Sequence, residues 1–397
     1  MRPDMSAPRL LTPGPAPSRR SDVAPFMAMD VLAAANAREQ AGGEVVHMEV
    51  GQPGAPAPRA VIEAASRALA LGRIGYTEAL GVPSLRERIA RHYRDAYGVG
   101  VPAERVVVTT GSSGGFILGF LAMFDAGDRV AIATPGYPAY RNILKAFGVE
   151  PVEIECDAAS GWVLTAAAIE RAHAERPLKG VLAMSPGNPT GTMMSRDALA
   201  ALGAACKRLG LWFISDEIYH GLTYERPADT ALAFDDEAVI INSFSKYYCM
   251  TGWRVGWMVV PERLARPIER LAQSLFISVP YLSQVAAEAA FDATSELEAI
   301  KAGYAANRAL LLDELPRIGL GDFLPVDGAF YVYVDVGRHT NDSMAFCRRL
   351  LDEAGVAATP GLDFDTARGS RFMRLSFAGS EADCRDAVRR LGTFLRG

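Results

Sequence analysis

A lysine directly follows an apolar run, with two hydroxyls just before it and an arginine eight residues after it. Ala238-Val-Ile-Ile-Asn242 leads into Ser243-Phe244-Ser245-Lys246, and Arg254 stands beyond it. An ammonium at the end of a buried strand is costly unless it is paired, or is used as an amine whose pKa burial has lowered. A Schiff base with an aldehyde cofactor is one such use. The hydroxyls of Ser243 and Ser245 and the forked guanidinium of Arg254 would supply donors for a phosphate. An aldehyde and a phosphate on one ligand describe pyridoxal phosphate. The same residues also suit an exposed strand-to-loop lysine with a surface arginine, so the other strand ends must decide.

Ligands of open α/β sheets bind beyond the carboxyl ends of the strands. Thr109-Thr-Gly111-Ser112-Ser113-Gly114-Gly115 follows Val106-Val-Val, and Thr134-Pro-Gly136-Tyr137-Pro138 follows Ala131-Ile-Ala. Ser185-Pro-Gly187-Asn188-Pro189-Thr190-Gly191 follows Val181-Leu-Ala-Met, and Ser215-Asp216-Glu217-Ile-Tyr219 follows Phe213-Ile. With Lys246, five strand ends place glycines, hydroxyls, an amide, a carboxylate, aromatic rings and an amine on one sheet edge. Gly111–Gly115 opens a helix, whose N–H groups and dipole favour an anion. Asp216, an expensive charge at a strand end, is matched by a protonated ring nitrogen. Tyr137 can stack on a ring, while Asn188 and Tyr219 can donate to a ring oxygen. Each motif alone is also an ordinary turn, cap or core aromatic; their joint spacing carries the reading. No G-x-G-x-x-G follows a first strand and no G-x-x-x-x-G-K-[ST] occurs, which removes the main support for dinucleotide and P-loop chemistry.

These strand ends need a βαβ framework. From about residue 104, short apolar runs alternate with amphipathic stretches, as in a mostly parallel sheet buried on both faces. Beyond about residue 295 the pattern becomes a long helix, a β pair around Gly328–Asp335, a helix, the strand Phe372–Ser376 and a final helix. The expected division is a flexible tail (1–21), a segment packing with the small domain (22–50), a large cofactor-binding domain (51–295) and a small α+β domain (296–397). Ser21-Asp22 resembles a helix N-cap. The Asn188-Pro189 bond is expected trans.

Half of the 397 residues are hydrophobic and 22% are charged, as in a globular enzyme. A net charge of -5, without a basic tract, argues against nucleic acid as a partner. No apolar run reaches membrane-spanning length, so no membrane partner is expected. The five scattered cysteines fit reduced thiols better than disulfides or a metal site. The N-terminus has no apolar secretory core, and the cytoplasm is the expected location.

Taken together, the motifs resemble the class I, fold type I, pyridoxal-phosphate-dependent aminotransferases of aspartate-aminotransferase type, from about residue 25 to the C-terminus. The resemblance implies an α/β fold with a mostly parallel seven-stranded sheet and a smaller α+β domain. It implies that Lys246 binds the cofactor aldehyde, Asp216 the ring nitrogen, and Asn188 and Tyr219 the ring oxygen. Ser112, Ser113, Ser243 and Arg254 would bind phosphate, Arg374 would clamp the substrate carboxylate, and the Gly51 segment would close over the amino acid. Tyr76 would reach the phosphate of a neighbouring subunit, implying a homodimer with shared sites. By residue chemistry alone, Arg374 inside the apolar strand Met373–Ser376 needs an anion, either a substrate or an internal carboxylate. His220, next to Tyr219, is expected to face away from the ring in a solvent or structural role, and Cys249 to act as a small hydrophobe.

The activity so implied is ping-pong exchange of an amino group between an L-amino acid and a 2-oxo acid, with aspartate, alanine or an aromatic amino acid as donor. Some aspartate-preferring members have a lysine near the position of Ser113, and this chain does not, which weakens the dicarboxylate reading, although an arginine from the partner subunit could serve. A β-eliminating C-S lyase on the same fold is the alternative. A regulatory protein sensing the cofactor or an amine is a further reading, but about 20 residues before the first helix leave no room for a DNA-binding module.

Overall fold

The computed structural model describes residues 15–397. The expected tail falls mostly outside the described residues; Arg19–Ser21 within it forms an exposed 3-10 turn capped by Ser18. Seven strands form one sheet in the order Val106–Thr109, Gly256–Val259, Val239–Ser243, Trp212–Asp216, Gly180–Met184, Arg129–Thr134, Glu150–Glu155. All neighbours run parallel except Gly256–Val259, which is antiparallel to both of its partners.

Alternation within each apolar run divides the core between the two faces. Val106, Val108, Ala131 and Ile240 pack on one side, and Val107, Val130, Ile132 and Ile241 on the other. This two-sided burial is why the runs read as continuous apolar segments. The strand Glu150–Glu155 does not follow that pattern. Its Glu-Pro-Val-Glu-Ile-Glu sequence is only partly buried and lies at the sheet edge, where proline and charge are tolerated and block further pairing.

A second core surrounds a three-stranded antiparallel sheet in the order Thr359–Pro360, Phe372–Ser376, Tyr331–Asp335. The β pair expected around residues 328–335 is therefore a single strand, whose partner comes from Phe372–Ser376. Val46–His47 pairs in parallel with Val356–Ala357, bringing the N-terminal segment onto this body.

The first α-helix begins at Met27 and not near Ser21. Its N-terminal N–H groups are met from across the chain, because the Asp363 carboxylate accepts from Met27 N at 3.0 Å and Ala28 N at 3.2 Å. A distant carboxylate thus replaces a local cap. Three X-Pro bonds are cis: Thr134-Pro135, Ser185-Pro186 and Asn188-Pro189, the last of which was expected trans. Among the described residues, no helix is long and apolar enough to cross a membrane, and no His/Cys/Asp/Glu group could hold a metal.

Candidate active site

The parallel strands end on one side of the sheet, and a cleft of about 250 Å³ opens there against the smaller body. Ser112, Ser113, Tyr137, Asn188, Asp216, Tyr219, Ser245, Lys246 and Arg254 line it, with Gly51 and Arg374 from the opposite wall. Ser243 and Tyr76 lie outside this lining, Tyr76 having been expected to serve the neighbouring subunit. Ser243 Oγ is buried behind the wall, 3.1 Å from the Val255 carbonyl, and accepts from Ser245 N at 3.1 Å, so it orients Ser245. Tyr76 is 83% exposed on the molecular surface.

Lys246 lies fully inside, and its Nζ donates to the Gly51 carbonyl at 2.5 Å. Burial, followed by the charges of Arg374 and Arg254, brings its pKa down to about 8, while Asp216 opposes the shift. An amine so placed is a far better nucleophile at neutral pH than an ordinary lysine. Burial pushes Asp216 up to about 6, against hydrogen bonds from Tyr140 and the Ile218 N–H. Tyr140 donates to one carboxylate oxygen and Ile218 N to the other at 3.1 Å. With no cation bonded to it, this carboxylate is suited to receive one.

The helix Gly111–Met123 starts at the cleft without a side-chain cap, leaving its first N–H groups available to an anion. Arg254 stands over that start with left-handed backbone (φ 50) and donates to the Thr251 carbonyl at 2.9 Å. A Cβ on Gly111 would lie 2.5 Å from Arg254 Nη2, so glycine is what lets guanidinium and helix start converge.

Opposite, Arg374 is 2% exposed and no carboxylate among the described residues pairs with it. Its Nη1 donates to Asn188 Oδ1 at 2.8 Å, and Nη2 to the Glu49 carbonyl and to Thr359 Oγ1. The Nε–H is buried without a partner. The guanidinium carbon also lies 4.3 Å from the Tyr331 ring centroid. A buried guanidinium held only by neutral acceptors, with a donor to spare, needs an anionic ligand.

Sequence reasoning missed Tyr140, Tyr331 and Phe26. Tyr140 is one turn after Tyr137 on the helix Pro138–Ala146, a spacing that puts both on one face. Tyr331 OH shares a 2.6 Å hydrogen bond with Tyr219 OH and fills the space beside Gly51, where a Cβ would come within 1.7 Å of it. Phe26 meets the Tyr137 ring edge-on at 5.8 Å. His220 points away from the cleft, with Nδ1 2.8 Å from Tyr97 OH, a structural role. Cys249 is buried and outside the cleft lining.

Residues 43–391 match the family model of class I and II aminotransferases. The chain belongs to that family. At 51% identity it is similar to a valine--pyruvate aminotransferase of Mycobacterium tuberculosis, over 95% of this chain and 97% of the relative. The crystal structure of an aminotransferase from that organism superposes with a TM-score of 0.94 at 50% identity, over 96% of this chain and 100% of the other. The aspartate aminotransferase of Thermus thermophilus with maleate superposes with a TM-score of 0.91 at 32% identity, over 96% and 100%. The aminotransferase thus has the fold type I architecture, depends on pyridoxal phosphate and acts on amino and oxo acids. Its residues fit the cofactor: an uncapped helix start beside a guanidinium, a buried carboxylate without a cation, and a depressed lysine share one cleft.

Proposed function

We propose that this aminotransferase transfers the amino group of small apolar L-amino acids of the valine class to pyruvate. The observation that carries the reading is the outer wall of the cleft, where Phe26, Ala28, Met29 and Val50 offer apolar surface. The only lining cations, Lys246, Arg254 and Arg374, are suited to aldehyde, phosphate and α-carboxylate. That leaves none on this chain's lining of the cleft for the side-chain carboxylate of aspartate. The valine--pyruvate activity named for the 51% identical relative supports the same choice.

In this reading Ser112, Ser113, Ser245 and Arg254 hold the phosphate, with Ser243 behind Ser245. Tyr137 covers the ring, Asp216 holds the ring nitrogen, and Asn188 and Tyr219 serve the ring oxygen. Pyridoxal phosphate, when bound, supplies an electron sink for the substrate Cα. Arg374 grips the α-carboxylate and so fixes which Cα bond faces Lys246. Nζ of Lys246, its pKa lowered by burial, is placed to take the proton from the substrate Cα and would return it to the carbon of the cofactor's aldehyde group. The Gly51 segment and the wall around Phe26 exclude water from that transfer.

The exposed Tyr76, together with Ile62, Leu69, Leu71 and Ile74 on the same stretch, supports a homodimer in which Tyr76 reaches the neighbouring subunit's phosphate. The body around residues 51–295 would hold the cofactor and that around 296–397, with 22–50, the substrate carboxylate. Cytoplasmic location is part of the same proposal.

The test is a single turnover of cofactor-loaded protein with valine, alanine, aspartate, an aromatic amino acid and a cysteine-type substrate. Conversion of the cofactor to its amine form fastest with valine supports the reading. Preference for aspartate overturns the donor, and pyruvate with ammonia from the cysteine-type substrate favours the lyase. Lys246→Ala should slow turnover about 10²- to 10⁴-fold.

A further inference from the structure

The segment from Val46 to Gly51 contains a buried charge outside the cleft lining. Glu49 is 0% exposed, and its carboxylate is absent from the cleft wall. One oxygen lies 2.7 Å from His47 Nδ1, and the other is buried without a partner. The other imidazole nitrogen of His47 is 3.3 Å from Glu39 Oε1. A buried carboxylate is costly, and its cation partner reduces that cost when it is well placed. Burial works against the charged form of His47, but hydrogen bonds and charge from Glu49 and then Glu39 outweigh it and raise its pKa. The pair therefore favours an imidazolium held between two carboxylates.

The backbone of the same residue points the other way. The Glu49 carbonyl accepts from Thr359 Oγ1 at 2.9 Å and from Arg374 Nη2. Two residues on, the Gly51 carbonyl accepts from Lys246 Nζ. The peptide is pinned on its flank, because Met48 N donates to the Ala357 carbonyl at 3.0 Å and Ser376 N to the Met48 carbonyl at 2.7 Å. With the backbone anchored at Met48, the Glu49 side chain and the Thr359 hydroxyl are the remaining holds on the peptide whose carbonyl meets Arg374. That guanidinium has no carboxylate of its own, so its orientation depends on Asn188, Thr359 and this carbonyl.

We propose that His47 and Glu49 are positioning residues for substrate binding: their ion pair, outside the cleft, fixes the Glu49 carbonyl on Arg374 and so sets the affinity for the α-carboxylate of both substrates. The inference rests on Arg374 being the carboxylate clamp. It predicts that ligands with a carboxylate respond to the pair and that ligands without one do not.

The experiment compares two probes on the cofactor-loaded enzyme. Isovalerate has the side chain and carboxylate of valine without the amine, and isobutylamine has the side chain and amine without the carboxylate. Isovalerate binding is read by calorimetry and isobutylamine binding by the cofactor's absorbance. Glu49→Gln and His47→Gln should each weaken isovalerate about tenfold and leave isobutylamine within about twofold. His47→Arg, which retains a cation, should recover part of the loss. Arg374→Lys is the control for the underlying assignment: if isovalerate affinity survives it, the clamp reading falls and this inference with it. If Arg374→Lys weakens isovalerate while both His47→Gln and Glu49→Gln bind as wild type, or lose both probes equally, only the positioning role is overturned. Should Glu49→Gln fail to fold, the two His47 variants decide by the same criteria.

Discussion

Tyr140 donates its hydroxyl to the Asp216 carboxylate from a helix that follows a different strand, so two of the five strand ends meet in one buried contact. The tyrosine sits on the same helical face as Tyr137, whose ring meets its own edge-on at 5.3 Å. One helix and its N-cap residue thereby place the Tyr137 ring in the cleft wall and the Tyr140 hydroxyl on the buried carboxylate.

Removing that hydroxyl should change the pH range over which the cofactor binds. Burial already pushes Asp216 up to about 6, and the Tyr140 hydrogen bond is the first influence holding it down. In Tyr140→Phe the carboxyl pKa rises further, so protonation removes the anion at a higher pH than in wild type. Affinity of the cofactor-free protein for pyridoxal phosphate, titrated between about pH 5 and pH 8, should fall about tenfold near pH 6 and converge on wild type at the alkaline end. Identical pH profiles for the two proteins would remove Tyr140 from the cofactor's electrostatics.

Donor preference should reside in the wall formed by the residues around the start of the first helix. Phe26 faces the cleft and leans on Tyr137. Phe26→Ala should lower kcat/KM for valine about tenfold while leaving alanine within about twofold, because only the larger side chain reaches that surface. Equal losses for both amino acids would place specificity elsewhere.

A second buried carboxyl, Glu217, should make stability depend on pH. Glu217 Oε1 gathers Ala231 N at 2.9 Å, Thr230 Oγ1 at 3.0 Å and Ser215 Oγ at 3.2 Å. Burial still pushes its pKa up to about 8 and lowers that of neighbouring His220 to about 3, which disfavours an ion pair between them. A folded-state pKa above the unfolded value contributes stability that is complete below the ordinary carboxyl range and is lost as pH rises through about 8. Glu217→Gln cannot ionise, so its urea midpoint should vary less between about pH 4 and pH 9. The difference in slope should integrate to on the order of 4 kcal/mol. Parallel midpoint curves would show that Glu217 keeps an ordinary pKa.

Much of the site was readable without coordinates because the fold repeats one rule: a chain leaving a parallel strand deposits its next few residues on the same sheet edge. Ser112, Tyr137, Asn188, Asp216, Tyr219 and Lys246 all obey it, and all line one cleft. The edge strand Glu150–Glu155 is not among the apolar runs that mark the other strands, because a proline and three glutamates interrupt its apolar residues. The first helix was placed too early because its N–H groups are met by Asp363, more than 300 residues away, so the local sequence has no capping residue to mark the start.

The sequence alone determined which amine, guanidinium, hydroxyls, carboxylate and aromatic rings gather at the cleft, since covalent order carries each from its strand to the common edge. Only the tertiary structure decided what tunes them. Tyr140 reaches Asp216 across 76 residues, Tyr331 reaches Tyr219 across 112, and the Glu49 carbonyl reaches Arg374 across 325. Those contacts depend on how helices and the second body pack against the sheet, and no spacing within a single segment encodes which distant group arrives at a buried donor or acceptor.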